Sequence, residues 1–355
     1  MPRITRVLAA GVVLALAAAG CGSSDDTGTS SGTTQVPLAS TTLNGSGATF
    51  PKVFYEEVIE AYEDVQAGVT VNYAGGGSGK GRQELQDGVV DYAGSDGLVK
   101  PEDVANYKGE FLYVPTVAAP ITVSYNLSSV TDLELDAPTV AKIFQREIKQ
   151  WDDAAVKALN PDASLPSTAI TVAHRSDGSG TTENFTKYLV AAAGAAWTLG
   201  SGSTVEWPAD TQAGNGNQGV AQIVKTTEGA VGYVDLSDAI ATGLQTAAVK
   251  NKDGKAVKPT VAGATAALQN VTVNPDGTYN PLDAPGAESY PITAPTWILV
   301  YKNQGDKAKG DALKSFLTFL VTDAQELATD VDFAKLPSNV QEKAESQIAL
   351  VVVPA

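Results

Sequence analysis

The segment HRSDGSGTTENF, residues 174–185, combines a guanidinium group, a carboxylate and several hydroxyl groups with two glycines. Glycine lets the backbone approach a ligand closely, and the residues that follow predict a helix that begins within the segment. A helix N-terminus offers unpaired N–H groups, and the Arg175 guanidinium adds a planar cationic fork. Together these groups are typical of a site that binds an oxyanion.

Three further turns are rich in glycine and hydroxyl residues: SGATF (46–50), GGGSGKG (75–81) and AGSD (93–96). Three of the four turns are expected to open helices, where Thr49, Ser78 and Thr181 could each add a hydroxyl group. Asp96 adds a carboxylate at the end of another. Taken singly, each turn is explained more simply by an ordinary N-cap. Four such turns in one chain favour a shared site.

The GGGSGKG segment does not match nucleotide-binding loops. A Walker A loop requires Ser or Thr after Gly-Lys, whereas Lys80 is followed by Gly81. The Gly-x-Gly-x-x-Gly pattern also fails, because Lys80 stands where the last glycine belongs. His174 is the only histidine, so no multi-histidine metal centre and no cofactor are expected, and a structural role for it is favoured over a general base.

The composition narrows the range of partners. Lys and Arg number 24 against 40 Asp and Glu, which gives a net charge of −16 without a basic run. Nucleic acid is not an expected partner, because binding to its backbone requires a clustered positive face. Because the net charge is negative, an anion must be held by local hydrogen-bond donors.

A chain of 355 residues is long enough for roughly two domains.

Residues 1–20 are typical of a signal peptide. Arg3 and Arg6 precede an apolar run at residues 7–20, which is shorter than the ~20 residues a membrane span requires. The small residues before Cys21 resemble a bacterial lipobox, although Ala18 stands where that pattern prefers leucine. The alternative is a plain secreted protein with an incidental cysteine.

Lipidation at Cys21 would place the protein outside the cytoplasm and anchor it to the cell membrane. It would also use the only cysteine, so that no disulfide can form. Residues 21–41, rich in Gly, Ser and Thr, then form a flexible tether.

The remaining sequence follows an α/β order of strand, glycine turn, helix and strand. The strand-like segment FLYVPTVAAPITVSYN (111–126) is expected to be interrupted by Pro115 and Pro120. Prolines near this segment and at residues 283–295 mark two places where the chain could cross between lobes, which predicts a second lobe inserted within the first. The predicted division is residues 42–117 plus 290–355 for lobe I and residues 118–289 for lobe II.

The sequence resembles the PstS-type phosphate-binding proteins of bacterial ABC importers. The matching segments run in the family's order over nearly the whole folded chain, and they include GSGATFP, NYAGGGSGKG, DYAGSD, HRSDGSGTTENFTKYL, STVEWP, GNGNQGVAQIV and GAVGYV. The resemblance implies a two-lobe, type II periplasmic-binding-protein-like α/β fold, in which hinge-connected lobes close over the ligand.

The resemblance also implies which residues bind phosphate. They are Thr49, Phe50, Ser78, Asp96, Arg175, Ser179, Gly180 and Thr181, with Asp177 orienting the arginine. Phe50 and Gly180 would act through backbone N–H groups. His174 and Lys80 depart from residues common in relatives, and neither departure removes an expected contact.

Asp96 is the informative member of this set, because a carboxylate that faces an anion repels it unless the anion carries a proton. Phosphate keeps a proton at neutral pH and sulfate does not, so Asp96 is expected to reject sulfate. The leading hypothesis is a phosphate receptor, not an enzyme, that delivers its ligand to ABC permease and ATPase subunits. A phosphomonoesterase using the same site and a receptor for another protonated oxyanion, such as arsenate, remain alternatives.

Overall fold

Strands and helices alternate through residues 37–355, the part of the chain that the computed structural model describes. The strands are β1 (Thr41–Gly47), β2 (Val69–Ala74), β3 (Tyr92–Ser95), β4 (Phe111–Tyr125), β5 (Glu134–Leu135), β6 (Thr171–Arg175), β7 (Gln212–Gly214), β8 (Ala230–Asp235), β9 (Gln245–Thr246), β10 (Ala248–Lys250), β11 (Ala256–Val257) and β12 (Thr293–Tyr301). This order confirms the expected α/β class.

The helices follow the strands in the way the glycine turns predict. They are α1 (Lys52–Val65), α2 (Ser78–Asp87), α3 (Ala137–Phe144), α4 (Ala154–Leu159), α5 (Gly180–Ala192), α6 (Gly216–Thr226), α7 (Leu236–Thr242), α8 (Val261–Leu268), α9 (Lys307–Val321) and α10 (Ser338–Ala349), with 3-10 helices at Pro101–Asn106, Gly194–Ala196 and Asp323–Val331. As expected, three of the four turns open helices, namely α1, α2 and α5. Within residues 37–355, no helix is long and apolar enough to cross a membrane.

The folded chain begins a few residues earlier than expected. Strand β1 starts at Thr41, the last residue of the predicted tether, and the Leu38 N–H donates to the Gln66 side chain at 3.1 Å. The predicted signal peptide, Cys21 and most of the tether lie outside the described residues.

The main sheet has nine strands in the order β2-β1-β3-β12-β4-β8-β6-β7, with β9 paired to β4. Strands β1, β2 and β3 run parallel to one another, and so do β6, β7 and β8. Because α/β connections carry the chain back before each parallel strand, the carboxyl ends of each group lie at one edge. The four glycine turns follow these ends.

The expectation that prolines interrupt the segment 111–126 is wrong, because β4 is a continuous strand of 15 residues. Proline lacks the N–H that a sheet ladder needs, but both prolines lie where the ladder changes. Pro115 pairs with Trp297 beside an irregularity in the register with β12. Pro120 is the last residue of β4 that pairs with β12, and from Ile121 the strand pairs with β8. Strand β4 therefore joins the two halves of the sheet.

The helices bury apolar faces against this sheet. Helix α1 buries Phe54, Tyr55, Val58 and Tyr62, a spacing that places them on one helical face. Helix α6 buries Val220, Ala221 and Val224 in a separate small cluster with residues of β6, β8 and α7. This packing fixes the N-terminus of α6 next to the end of β6.

Candidate anion-binding site

The structure brings the four glycine turns together at the carboxyl ends of the parallel strands. Thr49 follows β1, Ser78 begins α2 after β2, and Asp96 follows β3. Arg175 is the last residue of β6 and belongs to the other half of the sheet. Hydrogen bonds link all four turns, directly or through one intervening residue.

The Ser78 hydroxyl group is the point where three turns meet. Its Oγ accepts from the N–H groups of Asp96 at 3.1 Å and of Gly180 at 3.2 Å, and it donates to Asp96 Oδ2 at 3.3 Å. A Cβ atom on Gly180 would collide with Ser78 Oγ and with Asp96 Cβ, so only glycine fits there. Close backbone approach explains why the fourth turn needs a glycine at this position.

Arg175 is buried, with 4% of its surface exposed, and its side chain is held from two sides. Its Nε donates to Asp177 Oδ1 at 2.8 Å and its Nη2 to Asp177 Oδ2, forming a bidentate pair. Its Nη1 donates to Asn217 Oδ1 at 2.6 Å and to Thr181 Oγ1 at 3.3 Å. A guanidinium group has five N–H donors, so one Nη2–H remains for a ligand.

Asp96 is also buried, with 2% exposure, but it has no guanidinium partner of its own. Its Oδ1 accepts from Thr296 Oγ1 at 2.7 Å. Burial raises the pKa of Asp96 to about 7, and the Thr296 hydrogen bond and the Arg175 charge offset this only in part. Near neutral pH the Asp96 carboxyl group is therefore present in both protonation states. It can donate a hydrogen bond when protonated and only accepts when ionised.

Asp177 responds in the opposite direction. Burial on its own would raise the pKa of Asp177, but the hydrogen bonds and charge of Arg175 outweigh burial and lower it. Asp177 also accepts from the Gly216 N–H at 3.0 Å. It lies where an arginine-orienting residue was expected.

Three other residues expected in the site have partners within the protein. Thr49 Oγ1 accepts from the Asn217 N–H at 3.3 Å, and the Phe50 ring is buried edge-on against Phe333 at 5.8 Å. Ser179 is the N-cap of α5, because its Oγ accepts from the Thr182 N–H at 3.1 Å.

Gly180 and Thr181 occupy the first turn of α5. The first N–H groups of a helix have no partner within the helix. Here the Gly180 N–H donates to Ser78 Oγ and the Thr182 N–H to Ser179 Oγ, which leaves the Thr181 N–H to face an anion.

Two residues with no assigned role from sequence join the site. Asn217 links Arg175 to Thr49, and its segment GNGNQGV matched the family without pointing to a contact. Thr296 binds Asp96 from β12, 200 residues further along the chain. No local pattern marks such a residue, because only the pairing of β3 with β12 brings it near.

His174 does not face the shared site. Its Nδ1 lies 2.9 Å from the Arg175 carbonyl oxygen and its Nε2 lies 3.0 Å from Thr211 Oγ1, while the ring stacks on Trp207 at 5.0 Å. Burial lowers the pKa of His174. These contacts fit a structural role. Among the described residues, no group of three or more His, Cys, Asp or Glu side chains is placed to hold a metal ion.

The fold and the convergence of strand-end turns define the periplasmic-binding-protein-like class, and the model of the PBP superfamily domain matches residues 30–324. The phosphate-binding protein PstS of Methanocaldococcus jannaschii is 38% identical over 308 residues, covering 80% of this chain and 79% of its own. The phosphate-binding protein PstS 3 of Mycobacterium tuberculosis is 34% identical and covers 96% of both chains. The chain therefore belongs to the PstS family of phosphate-binding proteins.

Solved structures agree with the two-lobe fold of this class. A high-affinity periplasmic phosphate-binding protein bound with phosphate superposes with a TM-score of 0.73 at 22% identity, covering 86% of this chain and 93% of its own. A putative phosphate ABC transporter substrate-binding protein from Clostridium perfringens gives a TM-score of 0.61 at 18% identity, covering 84% and 100%. At these identities the agreement concerns the fold.

Proposed function

We propose that this protein is an extracytoplasmic receptor for inorganic phosphate that delivers its ligand to the permease and ATPase subunits of an ABC importer. The observation that carries the proposal is the buried carboxylate of Asp96 among hydrogen-bond donors from both halves of the sheet. The relatives are named as phosphate-binding proteins, and one structural neighbour is named as an ABC transporter component.

The ligand set that we propose consists of Thr49, Phe50, Ser78, Asp96, Arg175, Ser179, Gly180 and Thr181. Hydroxyl groups, backbone N–H groups and one guanidinium N–H would satisfy the oxygens of a dehydrated anion without excess positive charge, once the Ser78 hydroxyl and the Gly180 N–H exchange their protein partners for the ligand. The charge of Arg175 is already balanced by Asp177. Binding thus depends on the number and direction of the donors.

Asp96 supplies the selectivity. An ionised carboxylate can only accept hydrogen bonds, so it needs a hydroxyl group on the anion. Phosphate provides one and sulfate does not. A sulfate ion would place two acceptors against each other in a buried site, which costs about 1–3 kcal/mol or more.

We place the two lobes at residues 42–117 plus 290–355 and residues 118–289, with a hinge where β4 changes partners. The change from β12 to β8 between Pro120 and Ile121 supports this division. Across the interface the Gly79 N–H donates to the Gly178 carbonyl at 2.8 Å, beside the anion site. Closure of the lobes over phosphate would bury the ligand and exclude water.

We further propose that residues 1–20 are a signal peptide and that Cys21 carries the lipid that anchors the protein to the cell membrane. The Gly-, Ser- and Thr-rich sequence that follows Cys21 would serve as the tether that lets the receptor reach a permease in the same membrane. Release of a Cys21→Ala variant into the medium, with the wild type retained in the membrane fraction, tests the anchor.

Titration calorimetry with phosphate, using sulfate and arsenate as competitors, tests the function. We expect one phosphate per chain, weak competition by sulfate and strong competition by arsenate, because arsenate also carries a proton. An assay of phosphate ester hydrolysis with added divalent metal should give no turnover. Sulfate binding as tight as phosphate binding, or ester hydrolysis, would contradict the proposal.

A further inference from the structure

The N-terminus of α6 contacts two residues of the proposed phosphate site from behind. The Gly216 N–H donates to Asp177 Oδ1 at 3.0 Å, and the Asn217 N–H donates to Thr49 Oγ1 at 3.3 Å. Gly216 adopts a φ of 66°, a left-handed conformation that favours glycine. The first N–H groups of α6 therefore bind protein side chains.

The Asn217 side chain is fully buried, with 0% exposure, and both ends of its amide are hydrogen-bonded. Its Oδ1 accepts from Arg175 Nη1 at 2.6 Å, and its Nδ2 donates to Asp235 Oδ2 at 2.6 Å. Arginine can only donate and an ionised carboxylate can only accept, so the amide has one satisfactory orientation. Asn217 thereby holds the guanidinium on the side opposite Asp177.

The anchor behind Asn217 is itself held in place. Asp235 is fully buried and is the N-cap of α7, where its Oδ1 accepts from Ser237 Oγ at 2.6 Å and from the Asp238 N–H at 3.0 Å. Helix α6 is fixed by its buried face against β8. Asn217 is therefore a rigid link between the Asp235 carboxylate and the guanidinium of Arg175.

We propose that Asn217 is a positioning residue for phosphate binding, which fixes the plane of the Arg175 guanidinium and orients the Thr49 hydroxyl group. The Thr49 oxygen accepts from the Asn217 N–H, so the hydroxyl hydrogen is directed elsewhere and is free to donate to the anion. Thr49 and Arg175 belong to different proposed lobes, so this one residue connects them in the closed arrangement. The inference rests on the proposed phosphate site, and Asn217 itself makes no contact with the anion.

The first test compares Asn217→Ala with Asn251→Ala. Asn251 is a matched control, because its Nδ2 donates to the carbonyl groups of Gly286, Ala287 and Ser289, in a loop outside the site. Alanine removes the side-chain contacts to Arg175 and Asp235 and keeps the main-chain N–H that donates to Thr49. The guanidinium and the Asp235 carboxylate each lose a buried partner, so we expect phosphate affinity to fall roughly 10- to 100-fold. Most of the loss should lie in faster dissociation, measured by stopped-flow release. Asn251→Ala should change affinity by less than about threefold.

Two further readings separate positioning from general destabilisation. In an Arg175→Ala background, the effect of Asn217→Ala on phosphate affinity should be at least about threefold smaller, because the guanidinium that Asn217 positions is already absent. The phosphate-to-sulfate affinity ratio should stay within about threefold of the wild type, since Asp96 is untouched. Urea unfolding without phosphate measures the stability lost by each variant.

The outcomes distinguish this inference from the proposed function. A wild-type protein that fails to bind phosphate overturns both. A wild type that binds phosphate, with an Asn217→Ala variant of unchanged affinity, overturns the positioning role alone. Equal losses of affinity in Asn217→Ala and Asn251→Ala would also overturn it, because the loss would then follow stability.

Discussion

Asp96 is a buried carboxylate and Asp177 a partly buried one on the other side of the site, and their pKa values shift in opposite directions. Both oxygens of Asp177 are paired with one edge of the Arg175 guanidinium, which keeps the pKa of Asp177 low although the carboxylate is partly buried. Asp96 receives only hydroxyl hydrogen bonds at its side chain, from Thr296 and Ser78, and burial raises its pKa to about 7. The same residue type therefore serves as a fixed counter-charge on one side and as a titratable acceptor on the other.

This difference separates affinity from selectivity. The Arg175–Asp177 pair provides a directed donor with little net charge, which suits a protein whose overall charge is −16. Asp96 lacks such a partner, so its charge acts directly on the ligand. Variants of the Arg175–Asp177 pair should then change phosphate affinity, whereas variants of Asp96 should change the phosphate-to-sulfate affinity ratio.

The largest effect is expected from Asp96→Asn on the phosphate-to-sulfate affinity ratio. An amide can donate to sulfate and accept from phosphate, so the repulsion that rejects sulfate disappears. At about pH 9, where nearly all Asp96 is ionised, the ratio should fall by roughly 10²-fold, measured by competition calorimetry. Asp91→Asn, which alters a carboxylate bonded to Lys309 outside the site, is the control. An unchanged ratio would remove the role assigned to Asp96.

Arg175→Ala should weaken phosphate binding by roughly 100-fold, because it removes the one guanidinium in the proposed ligand set and leaves the partly buried Asp177 without its cationic partner. Sulfate should weaken by a similar factor, so the ratio should change little. Arg146→Ala is the control, since Arg146 binds Asp210 and the Ile170 carbonyl away from the site. Calorimetry that gives a phosphate affinity within about threefold of the wild type would contradict this side of the comparison.

The pH dependence of selectivity should be smaller. Burial raises the pKa of Asp96 to about 7, so below about pH 7 the Asp96 carboxyl group of the ligand-free protein becomes a neutral acid that can donate to sulfate. The phosphate-to-sulfate ratio should therefore fall by roughly fivefold to tenfold from about pH 8 to about pH 6. Asp177 stays ionised in this range because its pKa is low. A ratio that rises with acidity, or an Asp96→Asn variant with the same pH profile, would contradict the assignment.

The sequence allowed a prediction of the α/β class and of the turns that converge, because glycines, hydroxyl residues and Arg175 are local signals. The sequence did not predict the residues that support the site, Thr296 and Asn217. Thr296 reaches Asp96 only through strand pairing, and Asn217 acts through a helix start whose N–H groups bind side chains.

The prolines of β4 show a different error, because here a local signal predicted a feature that the structure lacks. Pro115 and Pro120 suggested breaks in the strand, and the structure places each where the ladder changes register or partner. A single sequence does not contain the pairing that makes a proline acceptable at such a position.

The smallest effect is expected from Asp177→Asn. Two consequences oppose each other: the amide holds Arg175 by fewer hydrogen bonds, which weakens binding, while the lost negative charge favours an anion. Phosphate affinity should change by less than about fivefold, with the sulfate ratio unchanged. Calorimetry at low and high salt separates the two, since the charge contribution is screened and the geometric one is not. A change in selectivity as large as that of Asp96→Asn would show that both carboxylates face the ligand, and the division between the two sides of the site would then fail.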